Sequence, residues 1–551
     1  MARPLTRAVA LLLPLAALSA CTASSAQTTI ATGDAPAVTG AVQVNGDPGV
    51  VRAHMTPLIA RNPTNGELVI AEVDGRSATR ECNVYLSVDD GRSWFKGGGF
   101  MVKPFTDCSI GAEYGATAVP FFDAEGVLYV AFAANDPARL LDSSRPISTA
   151  DLREDIPRNA YLARSADGGR TFTTNLVAAG KEGSTQTAYF SAPSGAIDPT
   201  DPRYIYVGWG QGDWSNQTDP IRAMVSASSD GGKTWSAPVD VADRKGADYS
   251  SITVGSKGTV HAVYWSREVG TEPADPAQAR PGARKIPTPI YHVSSADHGK
   301  TWTREVLDPG NQRLYRPPVI VADRNSQNVY VAWNGLADPN NFITNRDAKD
   351  RVDIFLRAST DNGKTWTDRR IVNDDPNSGV NHELPGIAVA PNGRVDVAWY
   401  DYRHSPRTGG SPGNDPGLQD VYYAFSNDAG RTWSPNLRIT DRSIDRSIGV
   451  YINPVGGTFN VGITSTDDTV YFAWQDSRNG RPDTMTEDIY SASLRFDQSS
   501  IVVGGGSAAD SDTNGWAILG AGVVLGAGLA MVAVWALGRG RDKPVGASAR
   551  S

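Results

Sequence analysis

An eight-residue pattern, SxDxGx[ST][WF], occurs six times in the chain and constrains its fold more than any other feature. The copies begin at Ser87, Ser165, Ser228, Ser295, Ser359 and Ser426. Successive copies are 63 to 78 residues apart, a spacing that indicates a repeat architecture in which each repeat is one structural unit. Six copies in one chain are far beyond chance.

Short apolar runs surround every copy. In the fifth repeat, VYVAW (329–333) and IFLRAS (354–359) precede the box, a run at 318–322 lies upstream, and another at 370–372 follows. Four short strands per unit, separated by turn residues, are typical of a propeller blade. The sequence therefore predicts an all-β fold, a β-propeller, over residues 46–503.

A seventh unit lacks the box. Thr469–Trp474 and Asp488–Ser493 match the second and third runs, but the Gly and Trp of the box are missing after them. We therefore predict seven blades, with six as the alternative. Ring closure leaves no free sheet edge, so the last blade is expected to share a strand with one end of the domain, for which residues 42–55 are the candidate.

The box itself is predicted to be structural. Its Ser and Asp side chains can bond turn amides, its Gly can adopt a positive φ, and its Trp can pack against the sheet. No copy has the alternating oxygen ligands of a calcium loop. No cofactor is predicted, and the sequence leaves open a structural calcium ion elsewhere in the fold. The six box carboxylates are Asp89, Asp167, Asp230, Asp297, Asp361 and Asp428.

These repeats resemble the Asp-boxes (BNR repeats) of the sialidase superfamily of β-propellers over roughly residues 50–500. The resemblance implies a glycoside hydrolase of the exo-α-sialidase type that acts on extracellular glycans. Asp-box propellers also include other glycosidases and non-catalytic scaffolds. The alternative is therefore a non-catalytic propeller that binds glycan or protein at the cell envelope.

The candidate site lies on the face opposite the boxes, where the second strands end. Three blades carry Asp-x-Arg there, namely Asp74 with Arg76, Asp401 with Arg403, and Asp476 with Arg478. They belong to blades 1, 6 and 7, which become neighbours when the ring closes. The sequence thus predicts one charged sector, in which the pairs either contact substrate or brace the loops by salt bridges.

The resemblance also implies residue roles in this sector. Sialidases hold the substrate carboxylate with three arginines and use a Tyr with a Glu partner and an Asp acid/base. The catalytic candidates are Asp74, Glu383 and Tyr315; the substrate-binding candidates are Arg76, Arg316, Asp401, Arg403, Asp476 and Arg478. One departure is that Met55-Thr-Pro57 stands where the family has Arg-Ile-Pro.

The sequences of the two chain ends predict export from the cytoplasm and anchoring in a membrane. Residues 1–21 read as a signal peptide with a lipobox-like end, in which Cys21 is the lipidation candidate, and 516–537 read as a transmembrane helix of roughly 33 Å. Flexible linkers are predicted at 22–45 and 504–515. Basic residues in the tail, 538–551, place it in the cytoplasm and the propeller outside a bacterial membrane.

The cysteine count predicts a disulfide, and the net charge limits the classes of binding partner. Cys82 and Cys108 are the only thiols left in the exported part, which predicts a disulfide between them. A formal net charge of −8 argues against a nucleic-acid surface. The expected partners are an extracellular glycan or glycoconjugate and the membrane.

Overall fold

A computed structural model describes most of the chain between residues 36 and 496. The described ranges are 36–49, 52–75, 81–101, 108, 118–135, 158–180, 189–212, 221–242, 246–266, 289–309, 318–336, 352–376, 380–405, 417–449, 461–484 and 486–496. All of them belong to one structural unit, residues 1–502. No helix among them is long and apolar enough to span a membrane. The predicted signal, Cys21 and the segment 516–537 lie outside the described residues.

Within the described ranges, thirty strands form seven antiparallel sheets, which confirms the prediction of seven blades over six. Blades 1 and 2 comprise β3 (His54–Arg61), β4 (Leu68–Asp74), β5 (Glu81–Ser87) and β6 (Phe95–Lys96), then β7 (Ala118–Phe122), β8 (Leu128–Asn135), β9 (Arg158–Ser165) and β10 (Thr173–Ala178). Blades 3 and 4 comprise β11 (Tyr189–Ile197), β12 (Ile205–Gly212), β13 (Arg222–Ser228) and β14 (Val239–Asp240), then β15 (Ala247–Val254), β16 (Val260–Ser266), β17 (Ile290–Ser295) and β18 (Thr303–Asp308).

The remaining blades follow the same order from inner to outer strand. Blades 5 and 6 comprise β19 (Val319–Ala322), β20 (Val329–Leu336), β21 (Val352–Ser359) and β22 (Arg370–Ile371), then β23 (His382–Val389), β24 (Val395–Asp401), β25 (Leu418–Ser426), β26 (Leu437–Arg438) and β27 (Ile444–Asp445). Blade 7 comprises β28 (Gly462–Ser465), β29 (Thr469–Asp476) and β30 (Asp488–Arg495), with β1 (Ala37–Val38) and β2 (Val42–Gln43).

The ring closes through the N-terminal strands. Both β1 and β2 pair antiparallel with β30, so the last blade takes its outer strand from the start of the chain. The pairing with β30 begins earlier than the predicted 42–55: β1 lies before this range, β2 lies at its start, and from His54 onward the chain forms the inner strand of blade 1. Both β1 and β2 lie within the segment 22–45 that the sequence predicts as a linker.

The core lies between the blades. The second strands are buried along nearly their whole length, because each one packs against the sheets on both sides. Trp209, Trp333, Trp399 and Trp474 occupy the same position in four of these strands and are fully buried. Trp399 and Trp474 are thus inter-blade core and cannot stack on a sugar ring.

Each box forms the turn after the third strand of its blade. In all six copies the Gly amide donates to the box Ser Oγ, and the hydroxyl of the box Ser or Thr donates to the Asp carboxylate at 2.6 Å. The hydroxyl and amide of Ser93 lower the pKa of Asp89 to about 2. The box Trp reaches the neighbouring blade, where Trp94 Nε1 donates to Ser491 Oγ at 2.9 Å.

One disulfide joins blade 1 to the segment that follows it. Cys82 and Cys108 are bonded, with their Cα atoms 5.6 Å apart, and both are buried, which confirms the predicted pair. A bridge across 26 residues stabilises the fold by about 3.5 kcal/mol in the chain-entropy model.

Candidate functional site

Buried tryptophans fix the carboxylates at the ends of the second strands. Residues i and i+2 of a strand share one face, and Trp399 Nε1 donates to Asp401 Oδ2 at 3.0 Å. Trp474 and Asp476 repeat the contact at the same distance. In blade 5 the matching position is a glycine, and Trp333 Nε1 has no hydrogen-bond partner among the described residues. The aspartates of blades 6 and 7 therefore point into the blade.

Two arginines of the predicted sector, Arg403 and Arg478, lie in the described part of the chain. Arg403 contacts three carboxylates. Arg403 donates to both oxygens of Asp401, from Nε at 3.0 Å and from Nη2 at 2.8 Å. The same guanidinium reaches Asp374 and Asp375 at 3.1 Å, and it lies 4.1 Å from the centre of the Tyr422 ring. Burial alone would lower the pKa of Arg403, but these carboxylates raise it above the ordinary value.

The corresponding arginine of blade 7 makes the same type of contact. Arg478 Nη2 donates to Asp476 Oδ2 at 2.8 Å and lies 2.9 Å from Asp441 Oδ1, while its guanidinium stacks over Tyr490. Both arginines thus turn onto the aspartate of their own Asp-x-Arg pair. These contacts are the bracing contacts of the structural alternative. Arg76, Arg316 and Tyr315 lie outside the described residues.

The inner strands of blades 1 and 6 begin with strained backbone. Thr56 and Leu384 adopt positive φ values of 55° and 57°, although neither is glycine and each precedes a proline. Both sit in a bulge, between Met55 and Leu58 in β3 and between Glu383 and Gly386 in β23. All other described non-glycine residues with positive φ belong to the box turns. Bulges and left-handed residues of this kind cluster at functional sites, where they re-aim a side chain.

Glu383 stands immediately before the blade 6 bulge. It is 5% exposed and pairs across the sheet with Tyr400, so the two side chains belong to neighbouring positions on adjacent strands. Tyr400 is buried, its burial raises the pKa of the phenol, and its hydroxyl lies 3.5 Å from the amide nitrogen of Gln475 in blade 7. This Tyr–Glu pair was not recognised from the sequence, because it depends on the register of β23 and β24.

Two histidines also missed by the sequence analysis begin the inner strands of blades 1 and 6. In the strand register His54 lies opposite Asp74, and His382 lies opposite Asp401. Each histidine is the first residue of its inner strand. Each is preceded by Asp-Pro, seven residues upstream, and followed by a proline three residues later. This second motif, D-P-x5-H-x-x-P, was visible in the sequence and would have located the start of both strands. Blade 5 carries the same spacing with Tyr315 in place of the histidine.

In blade 6 the histidine belongs to a closed ionic network. His382 Nδ1 donates to Val352 O at 3.0 Å, and Nε2 lies 2.9 Å from Asp375 Oδ1 and 3.5 Å from Asp401 Oδ2. Burial would lower the pKa of His382, but the hydrogen bond to Asp375 and the charge of Asp401 outweigh it and raise the pKa. The protonated ring and the Arg403 guanidinium together balance Asp375 and Asp401.

In blade 1 the histidine lies among three acidic side chains. His54 Nδ1 is 3.1 Å from Glu72 Oε2, and Nε2 is 2.6 Å from Asp47 Oδ2. Burial would lower its pKa, but Glu72, Asp74 and Asp47 raise the pKa to about 9. Glu72 replaces the Trp of blades 6 and 7, and its other oxygen accepts Asn83 Nδ2 at 2.9 Å. Asp74 therefore belongs to a different environment from Asp401 and Asp476.

Blades 7 and 1 meet at a further buried carboxylate. Glu487 is fully buried, its backbone bridges to Ala53, and its side chain accepts Gln475 Nε2 at 2.5 Å. Arg446 Nη1 lies 3.3 Å from the same oxygen. Arg52, next to this bridge, holds Asp488 through Nε and Nη2 at 2.6 and 2.9 Å.

Comparisons with known proteins find likeness in fold at low sequence identity. No family model matches the chain, and no curated protein sequence does. A protein of unknown function from Dyadobacter fermentans is 15% identical, over 84% of this chain and 99% of its own, with a TM-score of 0.43. The α-L-arabinofuranosidase Arb93A of Fusarium graminearum is 12% identical, over 83% and 98%, with a TM-score of 0.40. The Hadza microbial sialidase Hz136 is 14% identical, over 84% and 94%, with a TM-score of 0.40.

Proposed function

We propose that the protein is a glycan-acting β-propeller of the glycoside hydrolase class, located outside the cytoplasmic membrane. Its active site is assigned to the face where the inner strands begin, in the sector of blades 5, 6, 7 and 1. The observation that carries the proposal is the start of β23. There a bulge and a left-handed Leu384 hold the carboxyl group of Glu383 at the beginning of an inner strand.

Glu383 is assigned the role of general acid/base. Its side chain is 5% exposed, and a carboxyl group is the type of residue that protonates the leaving oxygen in most glycosidases. As the glycosidic bond breaks, the proton passes from Glu383 to the departing sugar oxygen, and the resulting carboxylate then takes a proton from the attacking water. Tyr400, buried beside it, positions this carboxyl group.

The exo-α-sialidase form of the proposal is the narrower one. It requires guanidinium groups that can hold the substrate carboxylate in a bidentate fork. Arg403 and Arg478 already donate to aspartates of their own blades, so this role falls to arginines elsewhere in the sector, of which Arg76 and Arg316 are the sequence candidates. An uncharged or less acidic sugar needs no such clamp, so the broader proposal does not depend on it.

A second candidate function is glycan or protein binding without hydrolysis. The contacts of Arg403 and Arg478 favour it, because arginines that brace loops build a rigid docking face without supplying catalytic groups. The two candidates make opposite predictions about turnover.

The test is hydrolysis of fluorogenic glycosides by the full-length protein. A panel with sialosides and α-L-arabinofuranosides covers acidic and neutral sugars. We expect turnover of at least one glycoside, with a loss of kcat of about 100-fold or more in Glu383→Gln, the size typical for a general acid/base. The matched control is Glu125→Gln, the same chemical change at an exposed residue in the turn between β7 and β8.

Two results would count against the proposal, the first against the role of Glu383 and the second against hydrolysis itself. Full activity in Glu383→Gln would remove the assigned acid/base. An absence of turnover on the whole panel, together with saturable binding on a glycan array, would establish the second candidate.

A further inference from the structure

Two buried histidines lie in contact at the junction of blades 4 and 5, on the box side of the fold. His261 belongs to β16 and His292 to β17, and both are fully buried. Nδ1 of His261 lies 3.0 Å from Nε2 of His292, and the two rings are stacked. The groups that surround the two rings therefore decide how many protons they carry.

The hydrogen bonds of the two rings form a row across the face of blade 4. Asn362, in the box turn of blade 5, donates from Nδ2 to Thr259 Oγ1 at 2.7 Å, so its Oδ1 faces Nε2 of His261 at 3.2 Å. His261 therefore donates from Nε2, and its Nδ1 accepts from Nε2 of His292. Nδ1 of His292 donates to the Glu305 carboxylate at 2.8 Å. The row thus holds one proton on His261 and two on His292.

The two ends of the row differ in charge. The Glu305 carboxylate accepts from His292 and also from Trp366 Nε1, each at 2.8 Å. Burial alone would raise the pKa of Glu305, but these hydrogen bonds outweigh it and lower the pKa. The other end of the row is the uncharged amide of Asn362. Within the described part of the chain, His292 therefore has a counterion in direct contact and His261 has none.

A second proton on His261 does not fit this packing. It would sit on Nδ1 and face the N–H of His292 at 3.0 Å, which sets two donors and two positive charges against each other. The rings have little room to separate, because a Cβ on the box glycine Gly363 would come within 2.9 Å of Cε1 of both. Burial and the charge of His292 accordingly lower the pKa of His261 to about 3. Blades 4 and 5 pack in this way only while His261 is neutral.

Other blades place a tyrosine where blade 4 has His261. This position directly follows the residue opposite the box serine, and in blades 2, 3 and 5 it holds Tyr129, Tyr206 and Tyr330. Tyr206 also contacts the box turn of the next blade, where its hydroxyl lies 3.2 Å from Nδ1 of His298. A phenol, with an ordinary pKa of about 10, does not titrate in mild acid. The histidine therefore puts an acid-titrating group inside blade 4 at a position where these three blades have none.

We propose that the junction of blades 4 and 5 is a pH-sensitive contact that is tight near neutral pH and opens locally in mild acid. Because the folded pKa of His261 is below its unfolded value of about 6.5, its contribution is fully present above pH 6.5 and is lost as the pH falls toward 3. Glu305 on β18 faces the pair, and Arg357 on β21 acts on that carboxylate through its charge. The box turn and the turn at Gly255 present uncharged atoms to the rings. The contact does not involve Glu383 and does not rest on the proposed hydrolysis.

The test is hydrogen–deuterium exchange of the full-length protein at pH 6 and pH 4.5, measured by mass spectrometry and corrected for the intrinsic pH dependence of exchange. Peptides from β16, β17 and the box turn of blade 5 report on the junction. We expect its opening constant to rise roughly 20-fold as the pH falls from 6 to 4.5, the effect of one excluded proton with an unfolded pKa of about 6.5. Peptides from β12, β13 and the box turn of blade 4 are the reference and should change by less than about 3-fold, because Tyr206 does not titrate there.

Variants assign the response to one ring. His261→Gln keeps a hydrogen-bonding side chain that does not titrate, and it should reduce the response of the junction to that of the reference. The matched control is His298→Gln, the same change at a partly exposed histidine in the box turn of blade 4, which should keep the wild-type response. A measurement without substitution complements them: the ¹⁵N shifts of labelled histidines should show His261 still neutral at pH 5 in the folded protein.

Three results would overturn the proposal. Equal responses of the junction and the reference would mean that acid loosens the fold as a whole. A wild-type response retained in His261→Gln would assign the titration to another group. A charged His261 ring at pH 5 in the folded protein would show that the junction accepts the second proton without opening.

Discussion

Blades 1 and 6 carry the same motif but surround its histidine with different side chains. Each begins its inner strand with a histidine, a left-handed residue and a proline, and each sets that histidine opposite an aspartate. In blade 6 Trp399, two residues before the aspartate on the same strand, donates to Asp401. Arg403 donates to the same carboxylate. In blade 1 the same strand position is Glu72, which adds a negative charge where blade 6 has an indole N–H donor.

The exchange of Trp399 for Glu72 changes the groups that contact the histidine. The blade 6 network holds two cations, Arg403 and protonated His382, against its aspartates, and is a structural brace. The blade 1 histidine instead contacts two carboxylates, Glu72 through Nδ1 and Asp47 through Nε2. A repeat fold thus supplies two copies of one backbone geometry, and a single exchange on the neighbouring strand changes the side chains that surround the histidine.

The largest expected effect is the loss of the blade 6 brace. Arg403→Gln leaves Asp374, Asp375 and Asp401 without their guanidinium, and we expect the free energy of unfolding to fall by about 3 kcal/mol, the low end for breaking a largely buried pair. Urea unfolding followed by tryptophan fluorescence measures it. Arg481→Gln, at a surface pair with Asp483, is the control and is expected to change little. Equal effects would mean that the brace carries no stability.

Much of the fold could be predicted because its signals repeat. The box recurs at the same turn of six blades, and the alternation of buried strands locates the seventh blade without a box. The closing strands β1 and β2 fall within the predicted linker, because they attach to β30 through backbone pairing while their side chains are exposed or half-buried. Edge pairing of this kind leaves no apolar pattern in the sequence.

The candidate site was harder to predict for a different reason. Three Asp-x-Arg pairs look equivalent in the sequence, and their blades are indeed neighbours in the ring. What each arginine contacts depends on residues that do not repeat, such as Asp374, Asp375 and Asn436 around Arg403. The bulges that set His54 opposite Asp74 and Glu383 opposite Tyr400 depend on strand register, which the residue pattern does not determine.

A smaller effect concerns pH. Because its folded pKa is raised, His382 contributes stability that is fully present below its unfolded pKa of about 6.5 and is lost as pH rises through the folded pKa. Asp375, Asp401, Asp353 and Arg403 are the charged groups that face the ring. Above pH 6.5 we expect the unfolding free energy to fall with a slope of at most about 1.4 kcal/mol per pH unit from this residue. His382→Gln should lose that component, and an unchanged slope in the variant would show that the ring is neutral in the fold.

The smallest effect tests how far the blade 6 brace extends. Asn436 Oδ1 accepts Arg403 Nη2 at 3.1 Å and also the backbone amide of Asp374 at 2.8 Å, so it ties the guanidinium to the loop that carries Asp374 and Asp375. Asn436→Ala removes both acceptor contacts at a half-buried position, where water can replace them in part, and we expect a loss of about 1 kcal/mol. In the Arg403→Gln background the same change should cost less, because one of the two contacts is already gone. A double-mutant cycle measures the coupling, and strictly additive losses would show that Asn436 supports the loop independently of the arginine.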